Sequence, residues 1–336
     1  MNPSPQRTSG ASETKNLGAR KPRRGWRRAG IAAAVVLGLI LASTVVNAIL
    51  ETTEKAGMGA YGERIAVGSG ALNVYRNGPE SGQPIVLLSG LGTPAPGLDF
   101  APLVRELNGF DTIVVEGFGY GYSDMDAPPR TNENISTELH EVLTKLQIKQ
   151  PYVLAGHSIA GFYMLDYANR YPAEVSAVVG IDASIPRAGD GPVPGPEPEL
   201  NWQKALAVTG IVRAVSAVVP SFVDPESEAY TDGELQRMRL ITSWNYGNSA
   251  VADETARIAN NAAALRGVTY PNNLPVLAFI ADENPDTTAT KTAAAENLLK
   301  NVTRHRIVPL EGHHYLHWTQ SKRMAGEIQT FLGEQQ

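Results

Sequence analysis

Pro151-Tyr152-Val153-Leu154-Ala155-Gly156-His157-Ser158-Ile159-Ala160-Gly161 is an apolar run that enters a serine flanked by small residues and then a helical pattern. A buried strand turning sharply into a helix with a serine at the apex is the build of a nucleophile elbow. The strained turn throws the serine Oγ out at the top of a sheet, so the positions two before and two after the serine must be nearly free of side chain. Gly156 and Ala160 meet that demand, with a methyl group where glycine is usual and Gly161 following.

A serine hydroxyl is a poor nucleophile at neutral pH. It needs a histidine base, a carboxylate to orient that base, and donors for the oxyanion, and with this elbow they follow in the order serine, acid, histidine. Late in the chain, Arg306-Ile307-Val308-Pro309-Leu310 reads as a strand, followed by the imidazole-rich loop Glu311-Gly312-His313-His314-Tyr315-Leu316-His317. Early in the chain, the apolar strand Pro84-Ile85-Val86-Leu87-Leu88 ends in Ser89-Gly90-Leu91-Gly92, whose backbone N–H groups are free to face the serine. Leu91 and Ile159 would then donate to the oxyanion. A further glycine-rich segment, Glu116-Gly117-Phe118-Gly119-Tyr120-Gly121-Tyr122-Ser123-Asp124, follows another strand.

On these four ordered features the chain resembles the α/β-hydrolase superfamily, specifically its small esterase-like members, over residues 61–186 and 268–336. The family's glycine-rich segment usually carries a basic residue and a proline where Glu116-Gly117-Phe118 stand here. The resemblance implies a serine nucleophile at Ser158 and a base at His314, by the spacing of Gly312-His313-His314-Tyr315. His313 is the runner-up, and His317 reads as a helix-start residue beside Trp318. His157 resembles the common Gly-His-Ser elbow and reads as a local packing residue, and His140 and His305 as surface residues.

The family's usual position for the acid falls on Asn284, and an amide cannot balance an imidazolium. The earlier placement, after the strand of Val178-Val179-Gly180-Ile181, puts Asp182 at a strand end, as in haloalkane dehalogenases, which differ in using an aspartate nucleophile. Asp182 is the preferred acid, with Asp282, Asp286 and Glu283 as alternatives.

At the N-terminus, the basic block Arg20-Lys21-Pro22-Arg23-Arg24-Gly25-Trp26-Arg27-Arg28 precedes residues 29–50, which carry no charge. About 20 apolar residues at ~1.5 Å each cross a bilayer. Basic residues before the run, with Glu51 and Glu54 after it, place a cytoplasmic tail inside and the rest outside. The alternative is a secreted protein released by signal-peptide cleavage after Val46-Asn47-Ala48. A twin-arginine reading of Arg23-Arg24 gains nothing from the residues that follow.

The first fifty residues hold 8 of the 29 Lys and Arg and 1 of the 34 Asp and Glu, leaving 21 basic against 33 acidic side chains. A remainder with about twelve net negative charges is a poor partner for nucleic acid. The absence of cysteine excludes disulfides, thiolate metal sites and a thiol nucleophile.

The body alternates strands with helical patterns, the mark of a mostly parallel sheet covered on both faces. Strands are expected at 63–67, 71–76, 84–88, 112–116, 152–155, 177–181, 276–280 and 304–309, and a helix at 135–146 with Asn132 and Asn134 as caps. Between strands six and seven, a Pro/Gly/acid linker at 189–198 leads into a helical stretch without strands, read as a cap inserted in the α/β-hydrolase core.

The expected organisation is a basic tail (1–28), an anchor or signal peptide (29–50), a linker (51–60), the first part of the core (61–186), the cap (187–268) and the second part of the core (269–336). Residues 202–219 are apolar on more than one face, either as a greasy wall over the site or as the core of a helical subdomain. Trp202, Met238, Trp244 and Tyr246 are the expected pocket residues. The implied activity is hydrolysis of an apolar carboxylic ester with no metal or organic cofactor. Amide, proline-directed peptide or C–C bond hydrolysis, cofactor-free haloperoxidase chemistry, and a non-catalytic protein binding an apolar ligand are the alternatives. Dehalogenase and epoxide-hydrolase chemistry would require a carboxylate where Ser158 stands.

Overall fold

The computed structural model describes residues 23–186 and 201–334. The basic tail before residue 23 and the linker at 189–198 lie outside the described residues. Eight strands, β1 (Glu63–Val67), β2 (Gly70–Asn77), β3 (Pro84–Leu88), β4 (Asp111–Glu116), β5 (Tyr152–His157), β6 (Val175–Ile181), β7 (Val276–Asp282) and β8 (His305–Glu311), form one sheet. Their order is β1-β2-β4-β3-β5-β6-β7-β8, and only β2 runs against the others. The strands β3, β4 and β5 are buried along their whole length, which is why they read as unbroken apolar runs. Val67 pairs with Gly70 across a two-residue turn in which Gly68 takes φ +54°, so the opening hairpin closes where its glycines stand.

The helices are α1 (Arg23–Met58), α2 (Pro96–Asp99), α3 (Ala101–Glu106), α4 (Asn132–Lys145), α5 (Ala160–Arg170), α6 (Trp202–Val208), α7 (Ile211–Val218), α8 (Asp232–Asn245), α9 (Ser249–Ala264), α10 (Pro285–Leu299), α11 (Leu316–Thr319) and α12 (Ser321–Gly333). Alternate side chains along each strand serve opposite faces. Val86, Leu88 and Leu154 pack under α4 and α5 with Leu139, Val142 and Tyr167. Ile85, Leu87 and Val153 pack on the other face under α3 and α12 with Phe100, Ile328 and Phe331.

Three local expectations give way. The cap of α4 is Thr131, whose hydroxyl accepts from the Asn134 N–H at 3.2 Å. Asn132 is instead buried and bonded to Asn261 of α9. Residues 51–58, read as linker, continue α1 without a break. The apolar stretch 202–219 is two helices, because Gly210 at φ +79° breaks it where the chain comes against Asn47 of α1; a Cβ at Gly210 would lie 3.2 Å from the Asn47 side chain.

Polar contacts bind α8 and α9 to the loop after β4. Asn245 and Asn248 donate to the Gly121 and Gly119 carbonyls at 2.7 and 2.9 Å. The buried Glu254 accepts from the Tyr120 and Tyr163 hydroxyls at 2.7 and 2.5 Å, and burial holds its carboxyl above the usual range.

At the junction of β5 and α5, a Cβ on Gly156 would stand 2.8 Å from the Ala160 methyl and 3.0 Å from Met164. The crossing has room for one methyl group, and Ala160 fills it. Gly156→Ala should therefore destabilise the fold by about 1–3 kcal/mol, read as a lower urea midpoint with an unchanged m-value.

Candidate active site

Ser158 follows the last residue of β5 and has φ +54°, a strained conformation for a residue with a side chain. Neighbouring backbone holds it there. Its N–H donates to the Ile181 carbonyl at 3.2 Å and its carbonyl accepts from Ser184 at 2.7 Å and Gly161 at 3.0 Å. A Cβ on Gly161 would meet the Ser184 carbonyl oxygen at 2.3 Å, so this glycine, one place later than the sequence pattern expects, makes the close approach possible. The loop after β6 is thus tied to the loop after β5.

Asp182 is the first residue after β6 and also has a positive φ, +42°. Its side chain is 2% exposed. One oxygen accepts from the Ala281 N–H at 3.0 Å, and the other accepts from Lys291 Nζ at 2.7 Å and from His314 Nδ1 at 2.5 Å. Burial alone would raise this carboxyl, but the hydrogen bonds from His314, Lys291 and Ala281 outweigh it and hold it below the ordinary aspartate range. His314 reaches it from the loop after β8. With Nδ1 committed to Asp182, Nε2 is the ring nitrogen left to serve a serine.

The other histidines have separate tasks. His157 is buried, and its Nε2 contacts the His314 carbonyl at 3.1 Å. A carbonyl only accepts, so that nitrogen carries the proton. Burial, with His317 and His314 nearby, pushes the His157 ring well below the usual histidine range and keeps it neutral. A Cβ on Gly90 would lie 2.6 Å from His157 Nδ1 and 3.2 Å from the Ser158 Cβ, so the loop of residues 89–92 can run this close only with glycine at that position. His317 is fully buried, with Nε2 2.7 Å from Asp99, which also accepts from Trp318 Nε1 at 2.8 Å. His313 Nδ1 accepts the Tyr315 N–H at 3.1 Å.

None of the alternative acids bonds to His314 among the described residues. Asp282 accepts from the Thr288 hydroxyl at 2.8 Å, and Asp286 stands in the first turn of α10, where the helix dipole favours an anion. Asn284, at the usual acid position, caps α10 by accepting from Thr287 at 2.9 Å. An amide suits that task as well as a carboxylate does.

A cavity of about 570 Å³ is lined by Leu91, Asp99, Phe222, Met238, Tyr246, Glu283, His313, His314 and Tyr315 among others; Ser158 is not one of its lining residues. That volume suits a small organic ligand. Among the described residues the backbone N–H groups of Leu91 and Ile159 have no partner. Of the four expected pocket residues, Met238 and Tyr246 line the cavity and the two tryptophans do not. Trp202 lies on the outer side of α6, 70% exposed. Trp244 turns away, donating from Nε1 to Glu54 of α1 at 2.9 Å. The sequence reading missed Asp99 and Lys291. Nothing in their surroundings marks them, because their partners lie 218 and 109 residues away.

A family model described as alpha/beta hydrolase fold matches residues 83–209. The chain is 26% identical over 264 residues to the uncharacterized protein YbdG of Bacillus subtilis, covering 75% of this chain and 79% of that protein. It is 30% identical over 136 residues to Lipase 1 of Psychrobacter immobilis, covering 38% of this chain and 42% of that one. The solved structure of Cfl2 from Burkholderia cenocepacia superposes with a TM-score of 0.62 at 20% identity, over 80% of this chain and 94% of that one, a likeness of fold. With this sheet order and the sharp turn after β5, the chain has the α/β-hydrolase fold.

Lys291 has a testable effect. Its ammonium bonds the same Asp182 oxygen as His314 and helps to hold that carboxyl below the ordinary aspartate range. In Lys291→Met, the Asp182 carboxyl should titrate at higher pH than in the wild type, followed by NMR of the labelled carboxyl carbon. An unchanged titration would show that the lysine does not act on Asp182.

Proposed function

We propose that the chain is a membrane-anchored serine hydrolase that cleaves apolar carboxylic esters. The observation carrying this reading is the bond of 2.5 Å between His314 and a buried carboxylate held below the ordinary range, on the loop tied to the strained Ser158. In this reading Ser158 Oγ attacks the acyl carbon while His314 Nε2 takes its proton. Asp182 balances the imidazolium, and the Leu91 and Ile159 N–H groups receive the oxyanion, a term of about 2.7–4 kcal/mol per donor in a comparable site. The proton passes to the leaving alcohol, and water, deprotonated by the same nitrogen, releases the acid and restores Ser158. Sequence similarity to a lipase supports ester chemistry. Ser158 has no carboxylate to form the alkyl-enzyme ester that dehalogenase or epoxide-hydrolase chemistry needs.

The anchor has support from packing. Among the described residues one helix, α1, is long and apolar enough to cross a membrane. Ser43 Oγ donates to the Thr209 carbonyl at 2.7 Å, and Asn47 accepts from Arg213 at 2.8 Å. Cleavage after Ala48 would remove both partners, which favours an uncleaved N-terminus.

Substitutions at the three proposed triad residues, with neighbouring controls, test the chemistry. Ser158→Ala should lower kcat by several orders of magnitude and abolish labelling by a fluorophosphonate, with stability little changed. His314→Ala should cost as much, and His313→Ala far less. Asp182→Asn should lower kcat by ~10⁴ at neutral pH, while Asp282→Asn and Asp286→Asn change little. p-Nitrophenyl ester turnover within tenfold of wild type in Ser158→Ala would end the proposal. A labelled protein with no turnover across acyl lengths would point to a different acyl bond.

A further inference from the structure

The helices α6 and α7 present a surface that the hydrolase reaction does not require. Trp202, Leu206, Ile211, Val218, Val219 and Phe222 are all exposed, Val218 by 81%. From residue 201 to residue 223 there is no acidic side chain and only two basic ones, Lys204 and Arg213. Arg213 is spent on Asn47 and Glu54, at 2.8 and 2.7 Å. Large apolar side chains exposed along two consecutive helices mark a contact with something apolar.

The location of that face on α1 identifies its partner. The bonds from Ser43 to Thr209 and from Asn47 to the Ala207 and Val208 carbonyls fix the junction of α6 and α7 against residues 43–47. These lie three to seven residues before Leu50, the end of the uncharged run of residues 29–50. At ~1.5 Å per residue, the junction sits about 5–10 Å below the end of that run. This is the depth at which amphipathic helices lie in a bilayer, between headgroups and acyl chains. Arg213 leads from this level to Glu54, one turn beyond the run, which keeps its charge toward water.

We propose that the α6–α7 face is embedded in the membrane leaflet where α1 ends, and that the cavity draws its ester substrate from that leaflet. The inference rests on the anchored reading of α1. Phe222, which is half exposed, and its neighbours Ser221 and Val223 line the same cavity as His314, so the cavity adjoins the exposed apolar surface. The substrate class is accordingly a membrane-dissolved ester with long acyl or alkyl chains.

The chain has no cysteine, so single labels can be placed cleanly. Full-length Leu39→Cys, Val218→Cys and Glu80→Cys proteins, each carrying an NBD fluorophore, would be reconstituted in vesicles of phosphatidylcholine and phosphatidylglycerol containing lipid spin-labelled at acyl carbon 5 or 12. Leu39 is at the middle of the run, and Glu80 is at the end of the sheet away from Ser158. The Val218 label should lose about half of its emission to the carbon-5 quencher and less to the carbon-12 quencher. Leu39 should be quenched more by carbon 12, and Glu80 by neither. A quenched Leu39 label with an unquenched Val218 label overturns the proposal and leaves the anchor standing. A Val218 label that is blue-shifted but unquenched assigns the face to another copy of the chain and also overturns it. If neither quencher reaches Leu39, the anchor falls and the docking falls with it. As a functional arm, Val218→Asp should lower turnover of a long-chain ester dissolved in vesicles by about tenfold while leaving hydrolysis of soluble p-nitrophenyl acetate unchanged. Equal rates on the vesicle substrate would remove the delivery role.

Discussion

The site depends on the close packing of the loop after β5 against the loop after β6. The Ser158 carbonyl takes hydrogen bonds from both Gly161 and Ser184, which ties the turn to the backbone that carries Asp182. The glycine at 161 leaves Ser184 room to approach, and the one at 156 yields its space to Ala160. Once these two loops are joined, Ser158 and Asp182 are held relative to each other. Two non-glycine residues at positive φ, Ser158 and Asp182, sit on the two tied loops. Strain of order 1–3 kcal/mol per residue persists only where surrounding bonds over-determine the backbone, and here each of the two loops helps to hold the other.

Much of this was legible in the sequence because it is local. A strand buried on both faces announces itself as an apolar run, and its end as a glycine-rich turn, so the eight strands of the described residues fall within two residues of expectation at every boundary. The elbow, the loop of residues 89–92 and the Gly-His loop could be read for the same reason. Asp182 could be nominated because it stands at a strand end, but only its bond to His314 distinguishes it from the carboxylates near Asn284. The usual acid position holds an amide that caps α10, a task independent of the reaction.

What could not be read was set by contacts across the chain. Lys291 on α10 meets Asp182, Asp99 on α2 meets His317, and no pattern near any of them predicts the meeting. Trp202 and Trp244, expected at the pocket because they lie in the helical insertion, stand outside it. The structure sends one outward and the other to Glu54, because α1 competes for the same region of the helical insertion. The doubly apolar character of residues 202–219 suggested two buried faces. One apolar side is instead left uncovered by any described residue, and the break at Gly210 follows from the approach of α1.

The continuity of α1 has a geometric consequence. From the uncharged run to Met58 it is one helix without a hinge, and it contacts the insertion through Ser43, Asn47 and Glu54 on a common side. A helix advances about 100° per residue. Adding or removing a single residue between Asn47 and Glu54 would therefore swing one set of contacts a quarter-turn or more around the axis, where a flexible tether would merely change length. This segment behaves as a keyed shaft, and its length is constrained to the residue even though it contributes no group to the chemistry.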